Sequence, residues 1–162
     1  MSVDHAVINA SPFILLSKCG LIELLPQLFA QVSMPQAVFD EILAGDDVAA
    51  MRAEDLVGKW LNIIFHPLEP EIVEWNLGSG ESELLSFVLT DKINSIALID
   101  DRAARRCANS FQIRSVGTAG LLVLAKQRQF ISLVEPEIEK LISAGLFLSA
   151  EIRSIILAQA DE

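Results

Sequence analysis

The chain has 162 residues, enough for one domain with a sizeable core. It is 52% hydrophobic with a mean hydropathy of +0.44, yet no apolar run reaches the roughly 18–20 residues of a membrane span; the longest, residues 14–29, is broken by Lys18, Gly20, Glu23 and Pro26. A net charge of −10 argues against a general nucleic-acid binder and leaves room for a local site built on basic residues and a divalent metal. No basic segment leads into an apolar stretch at the amino terminus, so no signal peptide is read and the expected location is cytoplasmic. The apolar surplus points to an oligomer or a partner. Cys19 and Cys107 have neither metal-ligand nor disulfide spacing and read as core residues.

Residues 6–8 form a short apolar strand. Asn9-Ala10-Ser11-Pro12 then reads as a strand-to-helix turn, with Ser11 as N-cap, Pro12 as the first helical residue and Gly20 as the C-cap. Residues 21–25 make a short helix ended near Pro26, and a strand follows around Val32. Pro35 opens a helix over 36–43, the acidic break 45–47 ends it, and 48–57 is helical again. Residues 60–65 alternate weakly as a strand, and a short helix reaches about Trp75. After the loop 77–80, Glu81 opens a helix through Thr90. The strand 95–99, the helix 102–110 and the strand 113–116 follow, then a helix over 118–128 capped by Thr118. Two helices, 135–144 and 149–160, close the chain, the second with Ser149 as N-cap. Alternating strands and helices predict a three-layer α/β/α architecture around a central parallel sheet, with a C-terminal helical pair. The expected organisation is a single domain over 1–162, with the α/β core at about 1–134 and the C-terminal helices at about 135–162.

In a parallel sheet every strand ends at the same edge, and open α/β folds build their sites there. Asp100 and Asp101 follow the apolar strand 95–99 directly. Adjacent carboxylates repel, so such a pair is tolerable beside a cation or in solvent. Asn9 follows the first strand. Glu81 lies in the first turn of the helix feeding the acidic strand, and Glu41 lies in the helix 36–43. Together they form a set of hard oxygen donors suited to Mg2+. Bland alternatives stand beside each: Glu81 as a first-turn acid on the helix dipole, Glu41 as a surface acid, Asp101 as the cap of helix 102–110, Asn9 as a turn residue. Glu83 reads as a solvated helix residue, and Asp4 lies at the far end of the first strand.

The stretches Val7-Ile8-Asn9-Ala10-Ser11-Pro12, Pro35-Gln-Ala-Val-Phe-Asp-Glu41, Gly78-Ser-Gly-Glu-Ser-Glu83 and Leu98-Ile-Asp-Asp-Arg-Ala-Ala-Arg105, in this order, resemble the PIN-domain superfamily. Residues 116–126 and 145–149 extend the resemblance to its DUF3368-like branch, related to toxin ribonucleases of the VapC type. The resemblance implies a nuclease that hydrolyses RNA phosphodiesters with Mg2+ or Mn2+ held by a carboxylate cluster, and a place as the toxin of a toxin–antitoxin module. It implies Glu41, Glu81, Asp100 and Asp101 as catalytic and metal-binding acids, either member of the aspartate pair being the ligand. Asn9 is implied as a further metal ligand and Ser11 as a supporting hydroxyl. RNA, a cognate antitoxin and a second copy in a homodimer or higher oligomer are the implied partners. Asn9 stands where active members usually carry Asp, which opens the alternative of a catalytically weak or inactive RNA- or protein-binding module. A phosphatase-like hydrolase lacks its nucleophile for the same reason.

Arg102 and Arg106 are four apart on one helical face and are candidate RNA-phosphate contacts, with a solvated or salt-bridged face as the alternative. His5 and His66 are too isolated for a zinc site. The apolar residues of the two closing helices suit either packing on the sheet or a partner surface.

Overall fold

A computed structural model describes residues 4–45 and 47–162. Strands β1 (His5–Ile8), β2 (Gln31–Pro35), β3 (Leu61–Ile64), β4 (Ser95–Leu98) and β5 (Ser115–Val116) form one parallel sheet in the order β3-β2-β1-β4-β5. The strands are short and apolar because both faces of the sheet are covered. Side chains alternate across it. Ala6, Ile8, Val32, Met34 and Leu98 face one core, filled by helices α1 (Ala10–Lys18), α2 (Leu24–Leu28), α3 (Gln36–Ala44) and α4 (Val48–Leu56). Val7, Ala97 and Ile99 face a second core with α5 (Pro70–Val73), α6 (Ser79–Thr90) and α7 (Arg102–Ser110). Helices α8 (Thr118–Gln127) and α9 (Glu135–Ser143) complete the first core, and α10 (Ala150–Gln159) closes the chain. No helix among the described residues is long and apolar enough to cross a membrane.

Several boundaries differ from the sequence reading for physical reasons. Helix α1 begins at Ala10 with Asn9 as N-cap, not at Ser11, and Ser11 is exposed in its first turn. The backbone N–H of Asn9 donates to Leu98 O at 3.0 Å, so the turn is set by the tie to β4 rather than by a capping hydroxyl. Gly20, at φ +69°, ends α1 with the paired bonds Gly20 N to Ser17 O and Leu21 N to Leu16 O. Pro26 sits inside the first turn of α2, where its missing N–H costs nothing. Asp46, part of the expected acidic break, lies outside the described residues, while Asp47 caps α4. The N-cap of α8 is Gly117, and the Thr118 hydroxyl is used elsewhere. Ser149 caps α10 as expected, accepting from Ile152 N.

Glu83 is not solvated. The residue is 4% exposed, and its carboxylate accepts from Ala37 N at 2.8 Å and His66 N at 3.0 Å. The N-cap of α3 is Pro35, which has no side-chain oxygen to offer, so a carboxylate from the neighbouring helix does the capping. Glu83→Ala strands two backbone donors and is expected to cost about 2–5 kcal/mol. That corresponds to roughly 5–15 °C in Tm by calorimetry; a change under about 1 °C would contradict the assignment. His66 makes a backbone contact to Pro67 and stacks edge-on to Phe87, and His5 bonds Ser33 Oγ, so both histidines are structural.

Helix α9 buries Ile138 and Leu141, whereas α10 buries no residue fully and packs beside α8. The pair is held by Glu162. Its Oε2 accepts from Val134 N at 2.6 Å and Lys126 Nζ at 2.9 Å, and its Oε1 from Glu135 N at 3.1 Å. Lys126 Nζ also donates to Ala160 O, the end of α10. The Val134 amide first, then Lys126, lowers the Glu162 pKa from 4.5 to about 2. A depressed carboxyl stabilises the folded state fully above its unfolded pKa and loses that contribution as pH falls through the folded value. The Tm gap between wild type and Glu162→Gln is therefore expected to be constant above about pH 5 and to shrink steadily toward pH 2. A gap independent of pH would exclude this latch.

Candidate functional site

The sheet order reverses at β1: β2 and β3 extend to one side, β4 and β5 to the other. The carboxyl ends of β1 and β4 thus frame the crevice where open α/β folds bind ligands. A cleft of about 1340 Å3 opens there, and all eight residues singled out from sequence line it: Asn9, Ser11, Glu41, Glu81, Asp100, Asp101, Arg102 and Arg106. Asn9 arrives on the end of β1, Glu41 from the middle of α3, Glu81 from the first turn of α6, and the aspartates on the loop between β4 and α7.

Asn9 is buried at 4% exposure, and its Nδ2 donates to Glu81 Oε1 at 3.3 Å. The Glu81 carboxylate folds back over Gly78, where a Cβ would stand 2.5 Å from Oε2. Helix α6 meets α3 at Gly80, whose missing Cβ would lie 2.9 Å from Val38 Cγ2, and this approach brings Glu41 to the same cleft. Glu41 is exposed overall, but partial desolvation of its carboxyl, and then the negative charge of Glu81, push its pKa up. A carboxyl raised in this way contributes less to stability as pH climbs through its folded pKa. The charge of Glu81 therefore works against ionisation of Glu41.

The two aspartates differ. Asp100 is held through both oxygens: Thr118 N donates to Oδ1 at 2.7 Å and Thr118 Oγ1 to Oδ2 at 2.6 Å. Gly117 leaves space for this clamp, since a Cβ there would stand 3.0 Å from Asp100 Oδ1 and 3.2 Å from Arg105 Nη1. Asp101 is exposed and uses Oδ2 to cap α7 through Ala104 N at 2.8 Å. Among the described residues no three His, Cys, Asp or Glu side chains are grouped so as to hold a metal. Asp100 is turned to α8, Asp101 to α7, and Glu81 to the Asn9 amide. The donors are nonetheless all oxygens lining one cleft, which fits a hard divalent cation in chemistry.

The sequence reading missed Thr118. The signal was present, because Gly117-Thr118 follows β5 at the same sheet edge as Asn9 and Asp100. It also missed Lys18, at the end of α1, and the wall formed by the C-terminal segment, including Leu146, Phe147 and Ile152, all of which line the same cleft.

The family model that matches this chain is DUF3368, described as a PIN domain, and it covers residues 5–162. No curated protein matches the chain.

Proposed function

Since this chain belongs to the PIN-domain family over residues 5–162, we propose that it is a metal-dependent ribonuclease whose working groups are the cleft carboxylates. The observation that carries the reading is the arrival of Asn9, Glu41, Glu81, Asp100 and Asp101 at one cleft beside the strand-order reversal. Glu41, Glu81, Asp101 and the Asn9 amide oxygen would hold Mg2+ or Mn2+. When bound, such a cation neutralises phosphodiester charge and lowers the pKa of its water. Asp100, with both oxygens on Thr118, serves to fix the end of β4 against α8 and so sets where Asp101 stands. Arg102 and Arg106, one turn apart on α7, bind the flanking RNA phosphates. The Ser11 hydroxyl, exposed in the first turn of α1, hydrogen-bonds the scissile phosphate or the attacking water.

The test is cleavage of a labelled RNA with Mn2+ or Mg2+. Activity is expected to appear with the ion and to vanish in excess chelator; undiminished cleavage in chelator overturns the reading. The toxin of a toxin–antitoxin module, cytoplasmic and homodimeric, is its finer form. Finding a gene for a small antitoxin beside its own would support that form.

One observation favours a second reading, a non-catalytic RNA- or protein-binding module. Asn9 not only lacks a charge but donates to Glu81, tying up one of the proposed ligands.

A further inference from the structure

Among the described residues Phe147 is the most exposed of the large apolar side chains, at 89%, yet it lines the cleft that holds the acids. Its neighbours Leu146 and Leu148 pack against the first core, so the loop between α9 and α10 turns this one ring outward. Gly145, at φ +120°, makes the turn that begins the loop. Ile152 and Ile155, half-exposed on α10, continue the apolar wall along the same cleft.

The charge of the cleft narrows what such a wall receives. Lys18, Arg102, Arg105 and Arg106 line it beside Glu41, Glu81, Asp100 and Asp101, so cations suited to phosphates and the acids proposed to hold a divalent ion share one cleft. An exposed aromatic ring beside such cations is the combination that binds single-stranded nucleic acid, with cations on the phosphates and a base on the ring. A duplex keeps its bases stacked inside and offers the ring nothing. The cleft, at about 1340 Å3, exceeds the roughly 300–1,000 Å3 of small-ligand pockets and has room for more than one nucleotide.

Resting on the ribonuclease reading, we propose that Phe147 is the base-stacking residue of the cleft, taking an unpaired base on its ring. The test is fluorescence anisotropy with a labelled oligouridine and a duplex of equal length, in chelator so that nothing is cut. Wild type is expected to bind the single strand in preference to the duplex. Phe147→Ala is expected to weaken single-strand binding about 10-fold. Phe147→Trp should restore the affinity, and Phe147→Leu should not. Phe65→Ala is the control, because Phe65 is 81% exposed but does not line the cleft.

Equal affinity of wild type and Phe147→Ala overturns this proposal and leaves the ribonuclease reading standing if wild type still cleaves RNA. Wild type that neither binds nor cleaves overturns both. Full affinity in Phe147→Leu, or an equal loss in Phe65→Ala, overturns stacking. A dimer that Phe147→Ala converts to monomer assigns the wall to a second copy of the chain and overturns it too.

Discussion

Glu81→Gln is expected to lower metal-dependent RNA cleavage at least about 100-fold while leaving the fold intact. The substitution is isosteric, and the Gln oxygen can still accept from Asn9 Nδ2 as Glu81 Oε1 does. It also removes the charge that helps to raise the Glu41 pKa, so stability without metal should hold or rise. Only a charged role at the cleft predicts lost activity with retained Tm. Asp100→Ala behaves differently. It strands the Thr118 N–H and hydroxyl, so Tm falls together with activity. If Glu81→Gln cleaves at the wild-type rate, Glu81 is a first-turn helix acid and nothing more.

The second large effect is a gain. Asn9→Asp restores the charge at the end of β1 and is expected to tighten cation binding about 10-fold or more, because ligand charge tunes such sites. Without metal the same change should destabilise. A carboxylate replaces the donor to Glu81, in a buried position near Glu41, at a cost of roughly 1–3 kcal/mol. Mn2+ should then recover the lost Tm, since an ion that binds only the folded chain stabilises it by mass action. Higher cleavage with a metal-rescued Tm marks wild type as a weakened nuclease. A variant that binds the ion and still does not cut favours the binding module.

The edge of the sheet was legible because its signal is local. An apolar run that stops at polar residues marks a strand end, and parallel strands share one edge, so Asn9 and the aspartates could be placed together without knowing the strand order. Helix α7 was readable over 102–110 because Asp101, its cap, stands next to it in the chain. Glu83 and Thr118 were not readable in this way. The partners of Glu83 lie 46 and 17 residues away, and the partner of Thr118 lies 18 away, so a solvated acid and a helix cap were the natural local readings. The start of α1 was misplaced for a related reason: Ser11-Pro12 is a good local cap, but the bond from Asn9 to β4 fixes the turn two residues earlier. The apolar residues of α10 suit packing and a partner surface equally. The helix lines the cleft because Glu162 and Lys126 pin its end, and no periodicity in the helix reveals that.

The proposed nuclease requires the cleft carboxylates to act as one cation site. Calorimetric titration of Mn2+ into wild type and into Glu81→Gln tests this most directly, free of any assumption about the RNA. Saturable binding by wild type and at least about 10-fold weaker binding by the variant are expected. Equal binding by the two proteins, or none by wild type, would contradict that requirement.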